Sequence, residues 1–132
     1  KDNPVFYVQY AFARINSLYR NLNTNLQNEI KLSVENLYLN KNEEEIIRKI
    51  YEWPKIIESS SKKFEPHKIP FYLYDLSTLF HAYWSKGNED KEYKFIEKDK
   101  IKRVEILAVL NLVAIVIRNG MKILGVSLPE RM

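Results

Sequence analysis

Two tyrosines and an arginine near the start of the chain have the types and the spacing of a nucleic-acid contact. Tyr7, Tyr10 and Arg14 follow one another at intervals of three and four residues, and Ser17 and Asn21 continue the series. Residues so spaced share one side of an α-helix. Tyrosine rings stack on unpaired bases, and arginine stacks or donates hydrogen bonds to phosphate and base edges. The residue types and their spacing therefore agree with a face that binds RNA.

Two other interpretations account for the same residues. Tyr7 and Tyr10 could cover the rim of a hydrophobic core while Arg14 forms a surface ion pair. Tyrosine and arginine are also common anchors of protein–protein interfaces, so the face could instead dock a partner protein. The residue pattern leaves the three interpretations open.

The helix that must carry this face is predicted from about Pro4 to Asn23. Asn3 is a suitable N-cap, and a proline at the first helical position loses only an N–H that has no partner there. The opposite side is broadly apolar and predicts packing on a core. Its members recur at helical spacing: Val5, Val8, Ala11, Phe12, Ile15, Leu18, Tyr19 and Leu22.

Helical patterns also predict the remaining elements. Weaker periodicity runs from Ile30 to Tyr38, and a stronger helix begins at Glu43 and is kinked or ended by Pro54. The acidic run at 43–45 is typical of a solvated first turn. A further amphipathic helix spans 67–84 and is expected to stop at 86–88. Residues 89–100 mix both charges and predict an exposed linker, with at most a brief strand and no function.

The last helix is predicted from Ile101 to Leu124, with Gly125 as its C-cap and a tail that folds back. It is the most apolar element and should lie at the centre of the bundle. Its hydrophobic run, Ile106 to Ile117, is shorter than the ~20 residues of a membrane span, so no membrane is expected. The sum is a single all-α domain, residues 1–132, built as a bundle of about five helices.

The composition of the chain permits some classes of function and excludes others. With 132 residues and 45% hydrophobic content the chain can bury one core, and a net charge of +4 permits a polyanionic partner. The absence of cysteine excludes disulfides and thiolate metal sites, and favours the cytoplasm. The chain starts at Lys1 without a visible signal peptide, so an excised domain is expected.

Catalytic and metal motifs are absent from the sequence. His67 and His81 lie fourteen residues apart and lack the spacing of a zinc site, so both are expected to be ordinary helix-face or core histidines. Only three glycines occur, and none belongs to a phosphate-binding loop. We expect no catalytic residue, no metal and no cofactor in this chain.

Three segments together resemble arginyl-tRNA synthetase: 3–14 (NPVFYVQYAFAR), 65–76 (EPHKIPFYLYDL) and 129–132 (PERM). They occur in the order of that family's C-terminal anticodon-binding domain, the helical bundle called the DALR domain. The resemblance implies that Tyr7, Arg14 and Met132 contact the anticodon loop of arginine tRNA, with Gln9 and Tyr10 as secondary candidates. Phe12 stands where the family often has histidine, on the apolar side of the helix.

The resemblance also implies what lies outside these residues. The family's catalytic domain uses ATP with Mg²⁺ to attach arginine to its tRNA, and the expected partners are arginine tRNA and the rest of a monomeric synthetase chain. Because the first helix and the last residue would share one site, Met132 should lie close to Tyr7 and Arg14.

Overall fold

The structure, a computed structural model, describes residues 3–22 and 38–132 and is an all-α bundle in these ranges. The described ranges contain five α-helices: α1 Pro4–Asn21, α2 Lys41–Tyr51, α3 Trp53–Lys62, α4 Lys68–Glu89 and α5 Val104–Leu124. The fold class is as predicted. The expected helix near 30–38 falls outside the described residues except for Tyr38. The segment after Glu43 forms two helices, because Pro54 lies in the first turn of a new helix that begins at Trp53.

The first helix forms for the predicted reasons. The Asn3 side chain accepts a hydrogen bond from the Val5 N–H at 2.9 Å, and Pro4 occupies the first turn. The apolar side is buried against α4 and α5. The helix ends at Asn21, because the backbone of Leu22 is extended. This is two residues before the predicted end.

In the described residues α4, and not the last helix as expected, is the central element, since α4 packs against α1, α2, α3 and α5, whereas the last helix packs against α1, α2 and α4. Within the described ranges the last helix alone is long and apolar enough to cross a membrane, but 56% of its most apolar window is buried by the rest of the bundle. Gly120 lets α4 approach closely, since a Cβ there would lie 2.7 Å from a methyl carbon of Leu73. Gly125 caps the helix with a left-handed φ of 70°.

The segment between α4 and α5 corrects two expectations. Lys86–Asn88 does not stop α4, which continues to Glu89. Gly87 is instead a packing site, because a Cβ there would lie 3.0 Å from the Cα of Lys94. The predicted linker is an ordered 3₁₀ turn, Lys91–Tyr93, followed by a hairpin of β1 Ile96–Glu97 and β2 Lys100–Ile101. Because β2 includes Ile101, the predicted first residue of the last helix, α5 begins only at Val104.

Glu43 also corrects the prediction of a solvated acidic turn. Its side chain is fully buried. One carboxylate oxygen accepts from the Asn40 N–H at 2.9 Å, completing a capping box, and the other accepts from the Tyr83 hydroxyl at 2.8 Å and from Arg103 Nη1 at 2.7 Å. Glu44 and Glu45 are exposed, as expected. The buried carboxylate therefore joins α2, α4 and the start of α5.

Removing Glu43 should destabilise the domain strongly. We expect Glu43→Ala to lower the free energy of unfolding by about 3 kcal/mol, at the lower end of the range for breaking a buried pair, because the Arg103 left behind is partly exposed to water. Urea denaturation followed by circular dichroism measures the change. Glu44→Ala, one residue along and exposed, is the control, and an equal loss in the two variants would contradict the role of Glu43.

Candidate nucleic-acid interface

A cavity of about 540 Å³ lies between α1, α4 and the C-terminal tail. Its lining combines arginines, aromatic rings and small polar groups. The lining residues are Tyr10, Ala13, Arg14, Ser17, Arg20, Asn21, Trp84, Arg131 and Met132. This lining, as far as the structure describes it, contains three arginines and no aspartate or glutamate side chain, so the cavity favours an anionic or electron-rich occupant.

Arg14 is held between two aromatic rings in this cavity. The centre of its guanidinium lies 4.7 Å from the Tyr10 ring centroid and 4.8 Å from the Trp84 ring centroid. Nη2 donates to the Tyr10 hydroxyl at 3.2 Å, and Nη1 lies 3.3 Å from His81 Nδ1. Cation–π contacts and neutral acceptors therefore position the guanidinium without a carboxylate to neutralise it.

His81 is buried below Arg14 and must be neutral to make both of its hydrogen bonds. Arginine can only donate, so Nδ1 accepts from Arg14, and Nε2 must carry the proton that it donates to the Tyr7 carbonyl oxygen at 3.3 Å. Burial lowers the pKa of His81, and the nearby charge of Arg14 lowers it further, against the opposing effect of the Tyr7 hydrogen bond. As expected, His81 is a satisfied core histidine.

The tail is fastened along α1 and brings the last residue to the cavity. Gln9 Nε2 donates to the Ser127 carbonyl oxygen at 2.8 Å, and Arg20 Nη1 donates to the Glu130 carbonyl oxygen at 3.2 Å. Leu128 packs against the core between these two points. Met132 is 62% exposed and lines the cavity together with Arg14.

The structure brings three of the five predicted site residues to the cavity and places the other two outside its lining. Tyr10, Arg14 and Met132 line the cavity, and the expected proximity of Met132 to Arg14 is confirmed. Tyr7 is not among the lining residues, and its ring packs beside the cavity at 4.4 Å from His81 and 5.1 Å from Tyr74 between centroids. Gln9 holds the tail. For all five, contact with RNA stays a prediction.

Sequence reasoning missed Trp84 on α4, Arg20 on α1 and Arg131 in the tail. Tyr74, Ser77, His81 and Trp84 repeat at helical spacing on α4, and this stripe faces the stripe of α1. A second polar–aromatic stripe was therefore visible in the sequence. Arg20 follows Ser17 by three residues on α1, so the same spacing could have found it, whereas Arg131 left no such signal because its place depends on the path of the tail.

The cavity has no metal-binding character. Across residues 3–22 and 38–132, no three histidine, aspartate or glutamate side chains come together as a metal site would require. The donors and rings in the cavity suit a planar, hydrogen-bonding partner better than a cation.

Comparison with known proteins identifies the fold and its family. The family model described as the DALR anticodon binding domain matches residues 8–132, and the chain belongs to this family. It is 44% identical over 132 residues to the arginine–tRNA ligase of Pelagibacter ubique and 40% identical over 139 residues to that of Allorhizobium ampelinum. The two matches cover the whole of this chain, but only 23% and 24% of the length of the two ligases.

A solved structure described as an arginyl-tRNA synthetase from Campylobacter jejuni has the same fold. It matches with a TM-score of 0.81 at 22% identity, over 98% of this chain and 27% of that chain. The chain therefore corresponds to about a quarter of the length of these relatives.

The protonation state of His81 should make stability depend on pH. Because its pKa in the folded protein lies below the unfolded value of ~6.5, its contribution to stability is complete above that value and is lost as the pH falls through the folded pKa. Urea denaturation at pH 7.5 and pH 5 should show a larger loss for the wild type than for His81→Gln.

His67→Gln provides the control, since His67 is exposed and is the other histidine of the chain. This variant should keep the pH dependence of the wild type. If His81→Gln also keeps it, His81 is not the group responsible.

Proposed function

We propose that this chain binds the anticodon loop of arginine tRNA, as the C-terminal module of an arginyl-tRNA synthetase. One observation supports this above the others: Arg14 is held between the Tyr10 and Trp84 rings, in a cavity completed by Met132. Family membership and the similarity to arginine–tRNA ligases, which extends over the whole of this chain, support the same partner.

The cavity offers the three kinds of contact by which proteins hold a splayed RNA base. The exposed Tyr10 ring and the half-buried Trp84 ring offer stacking surfaces, the remaining N–H groups of Arg14 offer hydrogen bonds, and the thioether of Met132 offers a polarizable apolar wall. Arg20 and Arg131 add positive charge for the flanking phosphates. Tyr7 contributes by supporting His81, and Gln9 by fixing the tail.

In this proposal the chemistry belongs to the rest of a longer, monomeric, cytoplasmic protein. Its catalytic domain attaches arginine to tRNA with ATP and Mg²⁺, and this module supplies binding energy that helps to present the acceptor end. The similarity to ligases about four times as long, of which the chain covers 23% to 24%, supports such an arrangement.

Anticodon preference should depend on Arg14. We expect the wild-type chain to bind arginine tRNA more tightly than a copy whose anticodon has been exchanged, by about 1–3 kcal/mol, the usual value of one well-made base contact. Arg14→Lys keeps the charge but loses the planar, stacked fork, so it should remove most of the preference. Fluorescence titration of the two RNAs across a salt series measures it.

Arg48→Lys on α2 is the matched control, because Arg48 is exposed and does not line the cavity. It should bind both RNAs as the wild type does. Equal wild-type affinities for the two RNAs at every salt concentration would contradict anticodon recognition. An absence of RNA-dependent chemical-shift changes at Met132 would instead favour a face that docks a protein.

A further inference from the structure

Two smaller depressions continue from the cavity along α4 towards the hairpin. The first, of about 250 Å³, is lined by Leu18, Trp84, Gly87, Asn88, Lys94, Phe95 and Ile96. The second, of about 270 Å³, is lined by Lys91, Lys94, Ile96, Glu97, Lys98 and Lys102. Trp84 borders both the cavity and the first depression, and Lys94 and Ile96 border both depressions. The two depressions, here called the hairpin groove, are therefore adjacent to each other and to the cavity.

The hairpin groove is fastened to the wall of the cavity. The Phe95 ring is buried edge-on against Trp84 and Tyr83, with centroids 5.4 Å and 4.7 Å apart. Gly87 allows the backbone of Lys94 to lie directly on α4. Because Trp84 forms part of both surfaces, the hairpin groove has a fixed position relative to a ligand bound in the cavity.

The far end of the groove is strongly basic. Four lysines and one glutamate line it, for a formal charge of +3. Lys102 Nζ donates to the carbonyl oxygens of Lys91 and Glu92 at 2.9 Å and 3.4 Å, which closes the base of the hairpin. Lys94 and Lys98 are exposed on the groove wall. The charge thus lies on side chains that can reach a ligand.

The tip of the hairpin is strained in a way that presents Lys98. Glu97 pairs with Lys100, so Lys98 and Asp99 form a two-residue turn, with φ of 52° and 62°. Such turns usually carry asparagine and glycine, because other residues resist positive φ. Strained backbone of this kind is concentrated at ligand-binding elements, where the surrounding structure maintains it.

We propose that the hairpin groove binds the sugar–phosphate backbone of the RNA strand that continues from the base held in the cavity. This inference rests on the proposed function for the identity of the RNA. Lysine ammonium groups are point donors that suit phosphate, and they read no base. The groove therefore adds affinity that is independent of sequence, while the cavity provides the preference for the anticodon.

The test compares two double variants of equal charge. Lys94→Gln with Lys98→Gln neutralises the groove, and Lys55→Gln with Lys63→Gln removes the same charge from exposed positions at α3 and its C-cap. Arginine tRNA and its anticodon-exchanged copy are titrated with each protein over a salt series, after circular dichroism has shown that the helices are intact. All four lysines are exposed, so folding should be unaffected.

We expect the groove variant to bind both RNAs more weakly than the wild type, by the same factor. The slope of log K against log [salt] should become shallower by about 1.5, because two phosphate contacts are lost. The control variant should keep the slope close to that of the wild type. Equal slopes for the groove and control variants would overturn the inference, even if Arg14→Lys abolishes the anticodon preference.

The reverse outcome separates the two proposals. If the wild type shows no anticodon preference but the groove variant still loses slope, phosphate binding stands and anticodon recognition fails. If the wild type binds neither RNA, both proposals fail. An acidic peptide bound by the wild type and lost only in the groove variant, with RNA binding unchanged, would assign the hairpin groove to a protein partner and overturn the inference.

Discussion

The buried carboxylate of Glu43 is the interaction on which the rest of the bundle depends. An ionised side chain inside a core is tolerated only when each oxygen has partners, and here the capping box, Tyr83 and Arg103 supply them. Those partners come from three different elements. The carboxylate therefore determines how α2 packs against α4, and it fixes the position of the residue at which α5 begins.

This arrangement places the core and the candidate site on opposite sides of one short stretch of α4. Tyr83 points inward to Glu43, whereas the next residue, Trp84, borders the cavity and contacts Arg14. Arg103 comes just after the hairpin, and its pairing with Glu43 holds the C-terminal end of the hairpin in place. Phe95, packed against Trp84, holds the N-terminal end. Movement of the buried pair would consequently disturb both the cavity and the hairpin groove.

The candidate site is organised before any ligand arrives. Arg14 is stacked on two rings and hydrogen-bonded to a neutral histidine, so little conformational entropy remains to be lost on binding. Two side chains of α1 fasten the tail and bring Met132 to the same cavity. A preorganised aromatic and cationic surface suits a partner whose bases must be held in one orientation, which agrees with membership in an anticodon-binding family.

The sequence by itself determined the helices and their buried sides, because the periodicity of apolar residues, the Asn3 cap and the Gly125 cap are local properties. Helical spacing also singled out Tyr7, Tyr10 and Arg14, and the resemblance to arginyl-tRNA synthetase added Met132. The sequence could not show that Glu43 is buried, since an acidic first turn looks the same whether water or Arg103 faces it. It could not show that residues 91–101 form a fastened hairpin, since their charges are typical of an exposed linker.

Only the tertiary structure decided how the stripes of α1 and α4 meet. It set Tyr7 against Tyr74 and His81, gave Gln9 to the tail and placed Trp84 over Arg14. Each of these contacts joins residues far apart in the chain. Their geometry follows from how the helices pack and how the tail returns across them, and no local pattern encodes either.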